Sequence, residues 1–353
     1  MGERLMMKGN EALCEGAIIA GCRYYFGYPI TPQNEIPAYM ARRLPEVGGC
    51  FLQAESEIGS INMLWGASCA GKRAMTSSSS PGISLMQEGI SYLAGAELPA
   101  VVVNIMRGGP GLGNIASSQS DYFQAVKGGG HGDYRCIVLA PATVQEMAEV
   151  MVDAFDLAEI YRTPVIVLGD GVLGQMTEPL VLPEPSRMAM PEKDYILTGA
   201  KGREARIIRS VRLVPVDALE KHNIALQKKF KEIEAKETRF ERYQLDDAEL
   251  VIVAFGMSSR VARATILTAR ENGMKVGLLR PITLWPFPSD AVEELSKSPR
   301  VKAFIDVEMN FGQMIEDVKL ASCGRKEVHF YGRTAGMVPE EDELLAKIVE
   351  VYG

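Results

Sequence analysis

Three side chains that could do chemistry stand in the first third of the chain, each in an unusual local context. Thr31 lies in Gly27-Tyr28-Pro29-Ile30-Thr31-Pro32-Gln33, where Pro29 and Pro32 fix their own φ at about −65° and push Tyr28 and Thr31 out of the helical region. Such a rigid string holds the Thr31 hydroxyl in one place. Glu57, in Gln53-Ala54-Glu55-Ser56-Glu57-Ile58-Gly59, opens a largely apolar helical run from Ile58 to Ala70. A carboxylate there either complements the helix dipole or sits in a dry pocket with a proton to share. Glu55 reads as the ordinary case. Arg107 follows the apolar strand Val101 to Met106 and precedes Gly108, Gly109, Gly111 and Gly113. Glycine admits a ligand close to the backbone, and an arginine fork fits a carboxylate or phosphate. The plainer reading of Arg107 is an ion pair with an acidic neighbour.

Other candidates are weaker. Thr76 to Gly82, with four successive serines, ends a strand and could line a polar pocket or hold a phosphate at the next helix start, but reads first as a loop satisfying its own backbone. Gly111-Leu112-Gly113-Asn114-Ile115-Ala116 matches the dinucleotide pattern formally, yet the polar stretch Ser117 to Asp121 follows where a helix should begin. His131, in a glycine-rich stretch, is assigned a structural or supporting role. His222 and His329 show no sequence-level partner. No G-x-S-x-G occurs, which weakens a hydrolase reading.

The elements that must position these residues form an α/β pattern. Short apolar runs at 25–26, 50–52, 74–75, 100–106, 136–140 and 165–168 alternate with helical stretches near 10–20, 33–43, 57–70, 83–95 and 143–160. Strands buried on both faces with helices between them predict a parallel sheet covered on both sides, with ligands at the carboxyl ends of its strands. We divide the chain into a domain at 1–185, a connecting segment with a long charged helix at 186–246, and a second α/β domain at 247–353. Leu219, Leu226, Ile233 and Phe240 recur every seven residues, which predicts a surface helix over 217–243 with one narrow packing stripe.

Composition narrows the function further. At 353 residues, with 47% hydrophobic and 24% charged residues, the chain is long enough for more than one globular domain. A net charge of −7 with no basic run argues against nucleic acid. No apolar stretch of about 18 residues predicts a membrane span, and the first residues do not resemble a signal peptide, so the expected location is cytoplasmic. The six cysteines include no C-x-x-C pair, which argues against a zinc site or an iron–sulfur cluster on this chain.

Taken together, GYPITPQ, the Glu55–Glu57 segment, Thr76 to Gly82, Arg107 to Gly111 and Leu278-Leu279-Arg280-Pro281-Ile282-Thr283-Leu284-Trp285-Pro286-Phe287-Pro288 resemble the alpha subunit of 2-oxoacid:ferredoxin oxidoreductases. The likeness runs from residue 6 to about 350. It is nearest to the 3-methyl-2-oxobutanoate (2-oxoisovalerate, branched-chain) type, with the 2-oxoglutarate type a near neighbour.

The resemblance implies a thiamin-diphosphate-binding fold, with a pyrimidine-side domain followed by a transketolase C-terminal-like α/β domain. It implies thiamine diphosphate shared with a beta subunit that carries Mg2+ and a 4Fe-4S cluster, and gamma or delta subunits besides. The reaction implied is oxidative decarboxylation of a 2-oxoacid to an acyl-CoA, with ferredoxin and coenzyme A as further partners. By the same resemblance Glu57 is the catalytic carboxylate on the cofactor's aminopyrimidine, Thr31 and Arg107 bind substrate, and Tyr28, Pro29 and Ile30 line the cofactor pocket. Gly169-Asp170-Gly171 imitates the start of the cofactor's magnesium motif, but no asparagine pair follows about 25 residues later, so the metal is expected on the partner. Two other readings stay open: a non-catalytic scaffold subunit of such a complex, and a nicotinamide-dependent dehydrogenase using residues 111–116.

Overall fold

A computed structural model describes residues 4–186 and 188–353. In chain order the first elements are β1 (Leu5–Lys8), α1 (Gly9–Ile19), β2 (Tyr24–Gly27), α2 (Glu35–Glu46), β3 (Cys50–Gln53), α3 (Glu57–Cys69), β4 (Ala74–Ser78), α4 (Ser80–Gly95) and β5 (Ala100–Met106). They continue with α5 (Tyr122–Val126), β6 (Ile137–Leu139), α6 (Val144–Tyr161), β7 (Pro164–Asp170), α7 (Gly171–Gln175), β8 (Thr177–Leu180) and α8 (Ala218–Glu237). The remainder comprises β9 (Phe240–Tyr243), β10 (Leu250–Ala254), α9 (Gly256–Glu271), β11 (Val276–Pro281), β12 (Thr283–Trp285), α10 (Ser289–Lys297), β13 (Ala303–Glu308), α11 (Met314–Ser322), β14 (Glu327–Gly332) and α12 (Glu341–Tyr352).

The continuous apolar runs become sheet centres, as buried parallel strands require. Every residue of β5 and β7 is buried, and the two pair in parallel from Ala100↔Pro164 to Met106↔Asp170. The first sheet has the order β12-β6-β7-β5-β4-β2-β3. That order sets the ends of β5, β4, β2 and β3 side by side, so the segments carrying Arg107, the serines, Thr31 and Glu57 are neighbours.

Two strands cross the expected boundaries. β12, read from sequence as part of the second unit, forms the antiparallel edge of the first sheet through Thr283↔Leu139 and Trp285↔Val138. The first sheet is therefore parallel except at this edge. β9, read as the tail of the charged helix, is an antiparallel edge of the second sheet, β14-β13-β10-β11-β9. The seven-residue period misled because Phe240 falls in phase by coincidence: α8 stops at Glu237, and only Leu226, Phe230 and Ile233 bury its stripe. Phe230 meets Trp285 edge to face at 5.8 Å, so the helix and the exchanged strand share one core.

A buried polar clasp joins the two units. The Asp170 carboxylate accepts from Ser117 Oγ and the Val172 and Leu173 amides at 3.1 Å each, and from the Met257 amide at the start of α9 at 3.2 Å. Gln119 donates to the Phe255 carbonyl at 2.9 Å and accepts from Ser258 Oγ at 2.8 Å and the Met309 amide at 3.0 Å. Gly256, at φ +52°, comes so close that a Cβ would lie 2.9 Å from Gln119 Nε2. Among the described residues no helix is long and apolar enough to cross a membrane.

Candidate active site

Glu57 is the first residue of α3, behind the N-cap Ser56, whose hydroxyl accepts from the Gly59 amide at 3.3 Å. The cap fixes the helix start, and with it the Glu57 side chain. That side chain is buried, and its Oε1 accepts from Ser78 Oγ at 3.3 Å. The carboxylate also leans on the first turn of α4: a Cβ on Gly82 would lie 2.3 Å from Glu57 Oε1 and 2.0 Å from Ser78 Oγ. Glycine at 82 is thus what lets the acid enter. Glu55 is exposed, two residues before the helix.

Arg107, at the end of β5, is buried to 8% exposure. Its Nη1 donates to the Thr31 carbonyl at 2.9 Å and its Nη2 to the Leu112 carbonyl at 3.0 Å, while buried Nε has no partner. Among the described residues it forms no ion pair, so the ion-pair alternative for Arg107 falls. A buried guanidinium held only by neutral carbonyls is an anion site in chemical character. Thr31 meets it through the backbone, while its own hydroxyl accepts from Asn34 Nδ2 at 3.2 Å.

The loop bearing Thr31 is tied down at three carbonyls. Asn10 and Gln175 both donate to Pro32 O, at 3.0 and 2.9 Å, and Arg107 holds Thr31 O. Gln33, fully buried, donates to Tyr28 O at 3.3 Å and accepts from Ser77 Oγ at 2.6 Å, and Ser77 in turn meets the Tyr25 hydroxyl at 2.7 Å. Since Ser77 donates to Gln33, Tyr25 must donate to Ser77, which polarises the chain one way. Tyr28 and Pro29 are exposed and Ile30 half-buried, so this wall of the site is open.

The serine run is not the self-satisfied loop read from sequence. Ser77 and Ser78 close β4, Ser79 stands at the N-cap position without a side-chain cap bond, and Ser80 begins α4, with no loop between. The hydroxyls of Ser77, Ser78 and Ser80 turn to Gln33, Glu57 and Arg107 instead, Ser80 Oγ accepting from the Arg107 amide at 3.0 Å. Sequence reading gave Gln33 no role of its own, and for Thr76 to Gly82 it ranked the polar-pocket alternative, which Ser77, Ser78 and Gly82 fill, below the loop reading. Asp121 was also missed. It lies between Ser80 and Asn104, which donates to it at 2.8 Å, and burial raises its pKa. Beyond Arg107 opens a cleft of about 520 Å³ between its glycine turn and Phe311 of the second unit.

Two decoys resolve. Residues 111–116 fold back as a loop, with the Asn114 amide on Gly108 O at 2.9 Å and the Gly108 amide on Ala116 O at 2.9 Å, and no helix opens behind them. Asp170 caps α7 and binds the second unit rather than facing a ligand. His131 is exposed in its loop, whereas His222, without a partner in sequence, meets the Gly95 carbonyl at 2.8 Å.

Paired α/β units, with a buried acid and a buried cation at the carboxyl edge of the first sheet, give the chain a transketolase-like fold. A split-gene transketolase shares that fold at TM-score 0.60 and 14% identity, over 98% of this chain and 96% of its own. The chain belongs to the pyruvate flavodoxin/ferredoxin oxidoreductase family: the model for its thiamine-diphosphate-binding region matches residues 15–243, and that for its core domain II matches 248–344. It is 53% identical to the ketoisovalerate oxidoreductase subunit VorB of Methanothermobacter marburgensis over 99% of this chain and 98% of that one. It is 40% identical to the 2-oxoglutarate synthase subunit KorA of Archaeoglobus fulgidus, over 99% of each. The 2-oxoglutarate:ferredoxin oxidoreductase of Magnetococcus marinus, solved with 2-oxoglutarate, coenzyme A and succinyl-CoA bound, superimposes at TM-score 0.90 and 28% identity. This chain spans 66% of that one.

Proposed function

We propose that the chain is the alpha subunit of a cytoplasmic thiamine-diphosphate-dependent oxidoreductase that converts 3-methyl-2-oxobutanoate and coenzyme A to the acyl-CoA and CO2, with electrons passing to ferredoxin. The observation that carries the reading is that buried Glu57 and buried, carboxylate-free Arg107 both lean on the junction of β4 and α4, Glu57 through Ser78 and Arg107 through Ser80. Full-length similarity to ketoisovalerate oxidoreductase subunits supports the branched-chain substrate over 2-oxoglutarate.

The residues fit the cofactor's pyrimidine end. Thiamine diphosphate, when bound, would supply the electron sink for decarboxylating a 2-oxoacid. Glu57 Oε1 is held by Ser78, which leaves the other oxygen to bond a ring nitrogen and shift a proton there. Arg107 neutralises the substrate carboxylate. Two of its nitrogens already serve backbone carbonyls, so its hold on the ground state is partial. That suits a charge which must disappear as CO2 leaves. Thr31, on a loop pinned at three carbonyls, orients the same substrate, and Tyr28, Pro29 and Ile30 line the cofactor pocket.

A beta subunit with the diphosphate, Mg2+ and 4Fe-4S sites completes the centre, and gamma or delta subunits join it. Exposed Ile58, next to Glu57 on α3, and exposed Leu85 and Tyr92 further along α4 support docking of that subunit on this face.

The test is the co-purified complex, assayed for viologen reduction with 3-methyl-2-oxobutanoate, 2-oxoglutarate and pyruvate in parallel. The branched-chain acid should give the highest kcat/KM, and Glu57→Gln should lower kcat by roughly 10²–10⁴. An active Glu57→Gln complex would overturn the catalytic assignment, and preference for 2-oxoglutarate would overturn the substrate.

A further inference from the structure

Between residues 200 and 217 the chain carries a ladder of cations that no carboxylate among the described residues meets within 4.0 Å. Arg203, Arg206, Arg209 and Arg212 recur every third residue in a chain of net charge −7. No helix or strand forms over 204–209, yet Arg206, Arg209 and Arg212 converge with Arg162 on one open cleft of about 520 Å³. Two carboxylates reach that cleft and both are taken: Glu97 by Lys229 at 3.1 Å and Asp194 by Arg162 at 3.6 Å. Among the described residues, none of the four ladder arginines has a carboxylate oxygen within 4.0 Å.

Their contacts within the chain are neutral. Arg206 donates to the Ile196 carbonyl at 3.1 Å, and Arg212 to the carbonyls of Arg209 and Gly95 at 3.2 and 3.4 Å. Burial holds the Arg212 pKa below its usual value; Glu97 opposes this and Arg209 adds to it, a sign of crowded like charge. Apolar side chains alternate with the cations, and they face water: Ile207, Val211 and Val214 are exposed, Leu213 is 77% exposed and Val216 97%.

Arginine is enriched in protein interfaces, and a run of exposed apolar side chains marks a contact surface. Guanidinium groups are weakly hydrated and can be buried against carboxylates at less desolvation cost than ammonium groups. A small phosphate ligand is commonly met by convergent backbone N–H groups in an enclosed pocket. Here the cleft is open and its rim apolar, which fits a broad surface. Charge complementarity selects the occupant.

We propose that this segment docks an acidic face of another subunit of the same complex. Carboxylates of that subunit enter the cleft against Arg206, Arg209 and Arg212, while Leu213 and Val216 take its apolar contacts. The surface is separate from the centre at Glu57. It lies beside Glu97, past the end of α4, whereas Ser80 and Arg107 meet at the start of that helix, roughly 24 Å away along its axis.

The experiment uses the co-purified complex carrying Arg206→Glu and Arg209→Glu together. Neither residue touches the active site. The dissociation constant of one subunit should rise roughly tenfold or more, each reversal replacing an attraction by a repulsion, and the salt dependence of its binding should become shallower. The paired Arg→Lys changes should retain most of the binding. In the wild-type complex, zero-length amine-to-carboxylate cross-linking should join exposed Lys201 to a carboxylate of that same subunit. An unchanged dissociation constant and salt slope, with no Lys201 cross-link to another subunit, overturns the proposal. So does saturation of the cleft by inorganic pyrophosphate in the intact complex without loss of any subunit. A complex that dissociates as expected yet reduces no viologen counts against the active-site reading alone.

Discussion

The Arg107 guanidinium donates to the carbonyl of Thr31 at 2.9 Å, so the cation and the loop are one device rather than two independent contacts. Arg107 cannot move without loosening Thr31, and the reverse holds.

Arg107→Lys should therefore separate charge from geometry. A lysine keeps the positive charge but lacks the fork that reaches both Thr31 O and Leu112 O. We expect kcat/KM for the 2-oxoacid to fall by roughly 10–100-fold, the equivalent of about 1.5–3 kcal/mol for charge-assisted hydrogen bonds, with most of the change in KM. Arg107→Met should fall further. Steady-state kinetics of the assembled complex check both, and equal activities for lysine and methionine would remove the charge from the account.

Gly82→Ala should disable the site while leaving the fold. The added methyl would stand 2.3 Å from Glu57 Oε1 and 2.0 Å from Ser78 Oγ, so the carboxylate must shift. An alanine in the first turn of a helix is otherwise well tolerated. The expected result is kcat reduced by about 10²-fold, as a displacement near 1 Å can produce, with the thermal midpoint changed little. A fully active Gly82→Ala complex would mean that Glu57 works from elsewhere.

Much of this was legible in the chain, and the limits have physical causes. Runs such as Val101 to Met106 announce parallel strands because a strand covered on both faces must be apolar throughout, and the helical stretches expected at 57–70 and 143–160 form as α3 and α6. Thr31, Glu57 and Arg107 stood out because prolines, a helix start and glycines surround them. The exchanged strands β9 and β12 were not legible: each is short, and pairing between distant segments leaves no local period. Gln33 was hidden too, since its role comes from Ser77, 44 residues away, and Tyr25 beyond it.

Ser77→Ala tests that hidden chain. It leaves the Tyr25 hydroxyl and Gln33 Oε1 buried without partners, which costs about 1–3 kcal/mol of stability. With Gln33 unseated, its bond to Tyr28 O slackens and Thr31 is less well placed. KM for the 2-oxoacid should rise, while the affinity for thiamine diphosphate, for which we propose Glu57 and the beta subunit, should hold. A thermal shift with KM unchanged would make the chain purely structural.

Arg73 offers a pH test far from the site. Its Nη2 donates to Asp156 and to Glu159 at 2.8 Å each, and Lys193 holds the other oxygen of Glu159. Burial pulls the Glu159 pKa up, but the hydrogen bonds and charges of Arg73 and Lys193 outweigh it and leave the group below its ordinary 4.5. A lowered carboxylate stabilises the fold above that ordinary value, and the contribution fades as pH falls through the folded one. Arg73→Met should reverse the trend. Asp156 and Glu159, both buried, then lose their shared cation, and the chain should be less stable at neutral pH by about 3 kcal/mol, the low end for a broken buried pair because Lys193 remains. Protonation relieves the stranded carboxylates, so the deficit relative to wild type should shrink as pH drops from 7 toward about 4.5. Urea unfolding of both proteins across that range measures it, and a deficit that stays constant with pH would show that Arg73 acts through packing on Phe155 instead.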